Sequence, residues 1–396
     1  MKSRRPIGLC VALSFLLSAC ATAVTPIGMN GEPFAPDADE RLLWAQADRE
    51  AAALLKRVKL YDDAALTAYL TALAGRLTPE SVKTAGGPVA RIELIRDPTL
   101  GAFALPTGRV FVHTGVVAAV QSEAQLALVL ARELAHVFQR HALRAAREGL
   151  VGPVRFDGAA PLGPTAAAIV GGGLRLAAMA AMTGYGAGLE RGADVVGLSN
   201  VVGAGWNPGE ASAVWALLSR DLGARGAIET MLLASPAWLE ARVPATGRPS
   251  EAVAAASANS SEELERLRRP LLRDNAADDL RRGRFALARR ELDRVLAEAP
   301  TDAPAYVLYG DLHRLQSQRA ASAEERDTEI RQARARYTRA LALDPALADA
   351  HRELGLLYYQ QQDLGRARTE LEEYLRRAGG APDAARIAEY VRELAR

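Results

Sequence analysis

The stretch that decides the fold reads Val129-Leu-Ala-Arg-Glu-Leu-Ala-His-Val-Phe-Gln-Arg-His141. It lies inside a run of apolar residues at helical spacing, which predicts one long, mostly buried helix from about Glu123 to Arg147. Residues four apart lie on the same face of a helix, so Arg132 and His136 share a face. Glu133 follows Arg132 directly and lies beside that face.

This arrangement resembles the His-Glu-x-x-His motif of zinc peptidases, with one substitution. In that motif, two histidines four residues apart bind one zinc ion, and the glutamate between them acts as general base toward the metal-bound water. Glu133 takes the position of the base, and His136 takes that of the second ligand. Arg132 occupies the position of the first ligand.

Three further segments connect the altered motif with one family. Upstream, Gly101-Ala-Phe-Ala-Leu-Pro-Thr-Gly-Arg-Val-Phe-Val-His-Thr-Gly115 resembles the stretch that precedes the metal-binding helix in HtpX/BepA-type zinc metallopeptidases. Downstream, Glu190-Arg-Gly-Ala-Asp194 matches the Glu-x-x-Ala-Asp of the same family, and Ala204-Gly-Trp-Asn-Pro208 continues the match. The resemblance covers roughly residues 41 to 260. It implies a degenerate member of this family.

The resemblance also implies roles for single residues. Glu190 takes the position of the third zinc ligand, and Asp194 that of a partner behind the ligands. Relatives of the BepA type carry a His-Pro on a later loop, where the histidine can cover the metal. Here the nearest counterpart is Gly247-Arg-Pro-Ser-Glu251, in which arginine stands where that histidine would fall.

The sequence offers too few ligands for a catalytic zinc site. Such a site uses three protein ligands and one open position for water, whereas His136 and Glu190 supply two. The guanidinium of Arg132 stays protonated, so it cannot donate a lone pair and repels a cation. We therefore expect zinc to be absent or weakly bound. We expect Arg132 to pair with Glu190, Glu133 or both instead.

Two other histidines are possible substitutes for the missing ligand. On a continuous helix, His141 would face about 140° away from His136, so we expect it to point elsewhere. His113 lies at the end of a predicted strand and is the weaker alternative.

The amino-terminal residues resemble a bacterial lipoprotein signal. A basic start and a short apolar core end in Leu17-Ser-Ala-Cys20, which resembles a lipobox. We expect residues 1–19 to be a signal peptide and Cys20 to be lipidated, with residues 20–40 forming a tether. Ala21 then favours the outer membrane, facing the periplasm. A plain secretory signal is the alternative. The only other cysteine, Cys10, lies within the signal, so no disulfide is expected in the mature chain.

The carboxy-terminal third contains spacing that resembles tetratricopeptide repeats. The clearest unit is Leu354-Gly355, followed by Tyr358, Ala367 and Leu371. We count three repeats, with about 11 residues inserted in the second, and a capping helix from Pro382 to Arg396. A generic helical hairpin bundle is the alternative. Stacked helix pairs of this kind form a groove for peptides or partner helices.

The remaining patterns complete an α+β prediction. Short strands are expected at 91–96, 102–105 and 110–113, and a buried helix from Ala166 to Met182. The prediction is a mainly helical zincin-like domain with a small sheet over residues 41–261, then an all-α tetratricopeptide-repeat domain over 262–396. A net charge of +2 argues against a nucleic-acid partner. We expect contact with the membrane through the lipid anchor only.

Two functional hypotheses follow from these observations. The first is a catalytically impaired scaffold or chaperone, which binds client proteins or the machinery of outer-membrane protein assembly and quality control through its repeats. The second is an active zinc metalloendopeptidase that degrades misfolded envelope proteins, since Glu133, His136, Glu190 and Asp194 are retained. A sequence variant at Arg132 is a further alternative, because one base change separates common His and Arg codons.

Overall fold

The computed structural model describes residues 24–152, 163–225 and 251–394, and its account of side chains excludes residues 219–225 and 251–261. The chain divides into two compact units, Met1–Leu267 and Arg268–Arg396. The predicted signal peptide, Cys20 and most of the segment 247–251 lie outside the described residues. No helix in the described ranges is long and apolar enough to cross a membrane.

The first unit contains a small three-stranded sheet and several helices that pack against it. It opens with α1 (Ala38–Leu55), α2 (Ala64–Leu77) and the short α3 (Glu80–Thr84). The strands are β1 (Arg91–Ile95), β2 (Ala102–Ala104) and β3 (Arg109–His113), in the spatial order β1-β3-β2. Strand β3 pairs in parallel with β1 and antiparallel with β2.

The sheet is held together by buried side chains, because all of β2 and most of β3 are buried. Phe103 lies opposite Phe111 across the antiparallel pair, and their rings stack with centroids 4.9 Å apart. Both rings are fully buried. The three strands thus lie where the sequence predicts them, and β3 leads through α4 (Thr114–Ala119) toward the helix that carries the motif.

The predicted helix from Glu123 to Arg147 is wrong in one respect, because it is two helices. Helix α5 spans Glu123–Phe138 and α6 spans His141–Arg147. Between them, Arg140 adopts a left-handed backbone conformation with φ 55°. Its guanidinium is held by Glu40 at 2.5 Å and by Asp37 at 2.9 Å. These ion pairs stabilise a left-handed conformation that a Cβ atom disfavours, and the helix breaks at this residue.

The predicted single helix from Ala166 to Met182 is also wrong. Helix α7 (Pro164–Gly172) ends at Gly173, which has φ 61° and closes the helix in the left-handed conformation. A single turn, α8 (Arg175–Ala178), and a π-helical turn (Met179–Thr183) follow. The segment is still buried as expected, so the apolar composition predicted its environment and not its continuity.

Two long helices follow in the described part of the first unit. Helix α9 (Ala187–Gly203) ends before Gly205, which has φ 96°. Helix α10 (Pro208–Arg225) starts after Asn207, whose side-chain oxygen accepts a hydrogen bond from the Gly209 N–H at 2.8 Å. Helix α9 packs against α5, and this contact forms the candidate site.

Residues 24–37, expected to be part of a tether, pack against the first unit. Val24 and Ile27 are buried. The Ile27 N–H donates to the Phe138 carbonyl at 2.9 Å, and Arg144 donates to the Val24 carbonyl at 2.8 Å. The Pro- and Gly-rich composition therefore specifies an irregular backbone here, and the described part of this segment is held in place.

The second unit is a series of helical hairpins. Helix α11 (Glu251–Arg281) extends from the first unit into the second. The other helices are α12 (Phe285–Glu298), α13 (Ala303–Ser317), α14 (Ala323–Leu343), α15 (Ala348–Gln360), α16 (Leu364–Ala378) and α17 (Ala384–Leu394).

The hairpins pack through the predicted small and large residues. A Cβ on Gly310 would lie 2.3 Å from the Tyr337 ring, so only glycine lets α13 and α14 approach this closely. The insertion in the second repeat lengthens α14 to 21 residues, against 14 in α12. The predicted all-α repeat architecture is confirmed.

Candidate active site

The guanidinium of Arg132 lies between three carboxylates at the contact of α5 with α9. Its Nη1 donates to Glu133 Oε1 at 2.5 Å, and its Nε donates to Asp194 Oδ1 at 3.1 Å. Its Nη2 donates to Glu190 Oε2. Only 11% of the Arg132 side chain is exposed. The expected pairing with both glutamates is present, and the contact with Asp194 adds a third.

The opposite charges of this cluster stabilise the ionised forms of Arg132 and Glu190. Burial alone would lower the pKa of Arg132, but the Glu133, Glu190 and Asp194 carboxylates outweigh burial and raise that pKa above its ordinary value. Burial would raise the pKa of Glu190, but hydrogen bonding to His136 and the charge of Arg132 hold it well below its usual range. For Glu133, burial outweighs Arg132 and raises the pKa. The guanidinium is therefore a permanent cation facing an ionised Glu190.

His136 lies beside the guanidinium and shares one of its partners. Its Nε2 is 3.5 Å from Glu190 Oε2, the oxygen that also accepts from Arg132. The ring of Tyr185 lies against the His136 ring, with centroids 4.8 Å apart. The Tyr185 N–H donates to Glu190 Oε1 at 2.8 Å. Tyr185 was missed by the sequence prediction, and no local pattern around it marks it as part of the site.

The expectation that His141 points away from His136 is wrong. The two Nδ1 atoms are 3.0 Å apart, and the rings meet edge to face. The break at Arg140 removes the helical period on which the expectation rested. Burial, together with the nearby His136, lowers the pKa of His141 to about 3, so His141 is neutral at neutral pH. His141 fixes the His136 ring on the side opposite Glu190.

A glycine on α9 determines how closely the two helices approach. A Cβ on Gly197 would lie 2.9 Å from the backbone nitrogen of Arg132, closer than a packed side chain allows. This close approach brings Asp194 and Glu190, about one and two turns earlier on α9, within reach of the Arg132 side chain. Gly197 thus acts through backbone packing.

The start of α5 is fixed by a buried carboxylate. Glu123 accepts hydrogen bonds from Tyr69, from Arg76 at 3.1 Å and from the Trp206 indole at 3.0 Å. The Arg76 guanidinium lies 4.0 Å from the centre of the Trp206 ring. These contacts join α2, α5 and the turn before α10, and they hold the helix that carries the altered motif.

His113, the weaker alternative ligand, belongs to a separate buried cluster. Its Nδ1 is 2.9 Å from the Thr99 hydroxyl and 4.0 Å from Asp97. Asp97 also accepts from the Thr165 hydroxyl at 2.8 Å. All of these side chains are buried, so this cluster joins the loop after β1 to β3 and α7.

Comparison with known proteins finds two families whose sequence profiles match this chain. The sequence profile of peptidase family M48 matches residues 64–240, and that of a TPR repeat matches residues 329–362. The chain carries an M48 peptidase domain followed by tetratricopeptide repeats.

Three relatives show how far the likeness extends. The putative beta-barrel assembly-enhancing protease of Vibrio cholerae is 36% identical over 28% of this chain and 22% of its own length. The mitochondrial metalloendopeptidase OMA1 of Schizosaccharomyces pombe is 32% identical over 42% of this chain and 50% of its own. The beta-barrel assembly-enhancing protease of Escherichia coli is 33% identical over 38% of this chain and 32% of its own length. This chain spans half or less of each relative.

M48 peptidases use zinc, and the donor set of this chain does not fit that ion. The Glu190 oxygen nearest His136 is bound to a guanidinium nitrogen that has no lone pair to offer a metal. Within the described ranges, no group of three or more His, Cys, Asp or Glu side chains has the geometry to hold a metal. The permanent cation already satisfies the carboxylates that zinc would require.

The second unit contains a cavity of about 450 Å³ between its hairpins. Its walls come from the first helices of the three hairpins, α11, α13 and α15, and from the start of α12. Asp311 lies in this wall, where burial and the neighbouring Glu353 raise the pKa of its carboxyl to about 7. Apolar side chains share the wall with arginines, namely Leu280, Leu308, Leu315, Arg281, Arg314 and Arg319.

Proposed function

We propose that this protein is a lipid-anchored envelope protein whose M48 domain has lost zinc-dependent catalysis. It acts as a scaffold or chaperone in outer-membrane protein assembly and quality control. The observation that carries the proposal is the Arg132 guanidinium, bonded to Glu133, Glu190 and Asp194. Because this cation cannot bind or activate water as zinc does, Glu133 has no metal-bound water to deprotonate.

A cleavage assay tests the loss of catalysis. The purified protein is incubated with unfolded casein and zinc, beside Glu133→Gln and Arg132→His. We expect the native protein to cleave no faster than Glu133→Gln, because both lack a complete metal site. Cleavage by the native protein that disappears in Glu133→Gln would refute the scaffold-only role.

The proposed partners and location rest on two other features. The beta-barrel assembly-enhancing proteases are named for a role in barrel assembly, and the cavity between the hairpins is of a size that holds a peptide segment. Cross-linking in membranes, followed by identification of the captured proteins, tests the partners. Replacement of Cys20 by Ala should release the protein from the outer membrane fraction if Cys20 carries the anchor.

An active metalloendopeptidase is the second candidate. It is favoured by the retention of Glu133, His136, Glu190 and Asp194 beside one another. In this case client binding would have to withdraw Arg132 from its carboxylates. Adding an unfolded outer-membrane protein to the assay distinguishes the candidates, because cleavage would then depend on the client, on zinc and on Glu133.

A further inference from the structure

A second cavity of the repeat unit is lined by arginines and has a volume of about 560 Å³. It lies mainly on α14, the second helix of its hairpin, and is separate from the cavity lined by α11, α13 and α15. We call it the arginine cradle. Its walls are Arg331, Arg334, Arg339 and Arg366, and its floor is Ala335, Thr338, Ala342 and Tyr358.

Among the described residues, three of the four cradle arginines lack the carboxylate partner that several other arginines of the unit have. Elsewhere Arg273 pairs with Asp302 at 2.7 Å, and Arg368 pairs with Glu372 at 2.7 Å. Within the cradle, Arg366 pairs with Asp363 at 3.1 Å. No carboxylate of the described residues lies within 4.0 Å of the guanidinium nitrogens of the other three, Arg331, Arg334 and Arg339.

The surroundings of these three side chains are cationic. None of the residues described as lining the cradle is acidic. Arg331 and Arg339 are exposed to solvent, and Arg334 is half-buried. Guanidinium groups bind carboxylates through paired N–H donors, and the hydroxyls of Thr338 and Tyr358 offer two further donors. The cradle is therefore complementary to a ligand that carries several negative charges.

The length of the cradle indicates the form of that ligand. From Arg331 to Ala342 the helix rises about 16 Å, which is much longer than a single phosphate group. An extended peptide covers this length with about five residues. The alanine floor leaves room for its backbone. We propose that the arginine cradle binds an extended acidic segment of a partner protein.

Fluorescence anisotropy tests this proposal with the purified full chain. The probe is a short labelled peptide of alternating Glu and Ala, and its control carries Gln in place of Glu. We expect the acidic peptide alone to bind, with affinity falling as NaCl rises from about 50 to about 300 mM. Replacing Arg331, Arg334 and Arg339 together by Ala should weaken binding about tenfold or more.

Two controls make the result decisive. A matched variant with Arg368, Arg376 and Arg377 replaced by Ala removes three arginines of α16 that pair with glutamates, and it should bind as the native protein does. Replacing the three cradle arginines by Lys keeps the charge and should weaken binding less than Ala does. Unchanged affinity in the Ala variant would overturn the proposal. The proposal would also be overturned if the native protein did not bind the peptide but bound phosphatidylglycerol vesicles through these arginines.

Discussion

Arg132 donates through Nη2 to Oε2 of Glu190, the same oxygen that lies 3.5 Å from Nε2 of His136. A zinc ion held by His136 and Glu190 would need this oxygen and the space in front of it. The side chain at the proposed first-ligand position therefore also neutralises the carboxylate at the proposed third-ligand position. The substitution is compensated within the fold, because the carboxylates Glu133 and Glu190 keep a cationic partner.

Restoring the histidine should restore the metal site. The Arg132→His variant returns the missing imidazole and removes the competing cation, so we expect it to bind about one zinc per chain. Elemental analysis after dialysis measures the metal content. Arg132→Ala serves as control, since it removes the cation without adding a ligand, and it should retain far less zinc. Stoichiometric zinc in the native protein would contradict the proposed loss of the site.

Removing the guanidinium alone should destabilise the first unit. In Arg132→Ala, the buried carboxylates of Glu133 and Glu190 lose their guanidinium partner, and deleting one member of a buried ion pair costs about 3–5 kcal/mol. Denaturant unfolding followed by Trp fluorescence measures the change. The triple variant Arg132→Met/Glu133→Gln/Glu190→Gln should regain much of the stability. A single variant as stable as the native protein would show that the ion pairs contribute little.

Gly197 should tolerate no side chain. The Cβ of Gly197→Ala would meet the Arg132 backbone nitrogen at 2.9 Å, so we expect a loss of about 1–3 kcal/mol as α9 moves away from α5. Gly192→Ala on the same helix is the matched control, because a Cβ there has nothing within 4 Å. It should leave stability unchanged or raise it by up to about 1 kcal/mol. Equal losses in both variants would rule out a specific contact at Gly197.

The repeat unit should lose stability as pH rises toward neutrality. Burial and Glu353 raise the pKa of Asp311 to about 7 in the folded chain, above its value when unfolded. The folded state therefore binds this proton more tightly than the unfolded state does. The stability that this proton contributes is lost as pH rises from about 4 through about 7. Hydrogen exchange of α13, corrected for intrinsic rates, should show weaker protection above pH 7.

Asp311→Asn isolates this effect, because it keeps the shape and the acceptor for the Tyr337 hydroxyl at 2.8 Å. Its protection should change less with pH than that of the native chain. A pH dependence equal in both proteins would exclude Asp311 as the cause.

Sequence patterns predicted the elements of the fold better than their interruptions. The strands, the repeat hairpins and the cluster of Arg132, Glu133 and Glu190 follow from local spacing and family motifs. The break at Arg140 does not, because its left-handed backbone is stabilised by Glu40 and Asp37, about 100 positions earlier in the chain. Arginine carries no local signal for such a conformation.

A cation attached by a covalent side chain cannot be removed by chelators or limited by supply. Metal-dependent folds lose stability when zinc is scarce, since binding energy is then part of folding energy. The M48 domain of this chain carries its positive charge in Arg132, bonded to three carboxylates. Its folding should therefore proceed unchanged when zinc is scarce, a condition that compromises a fold that requires zinc.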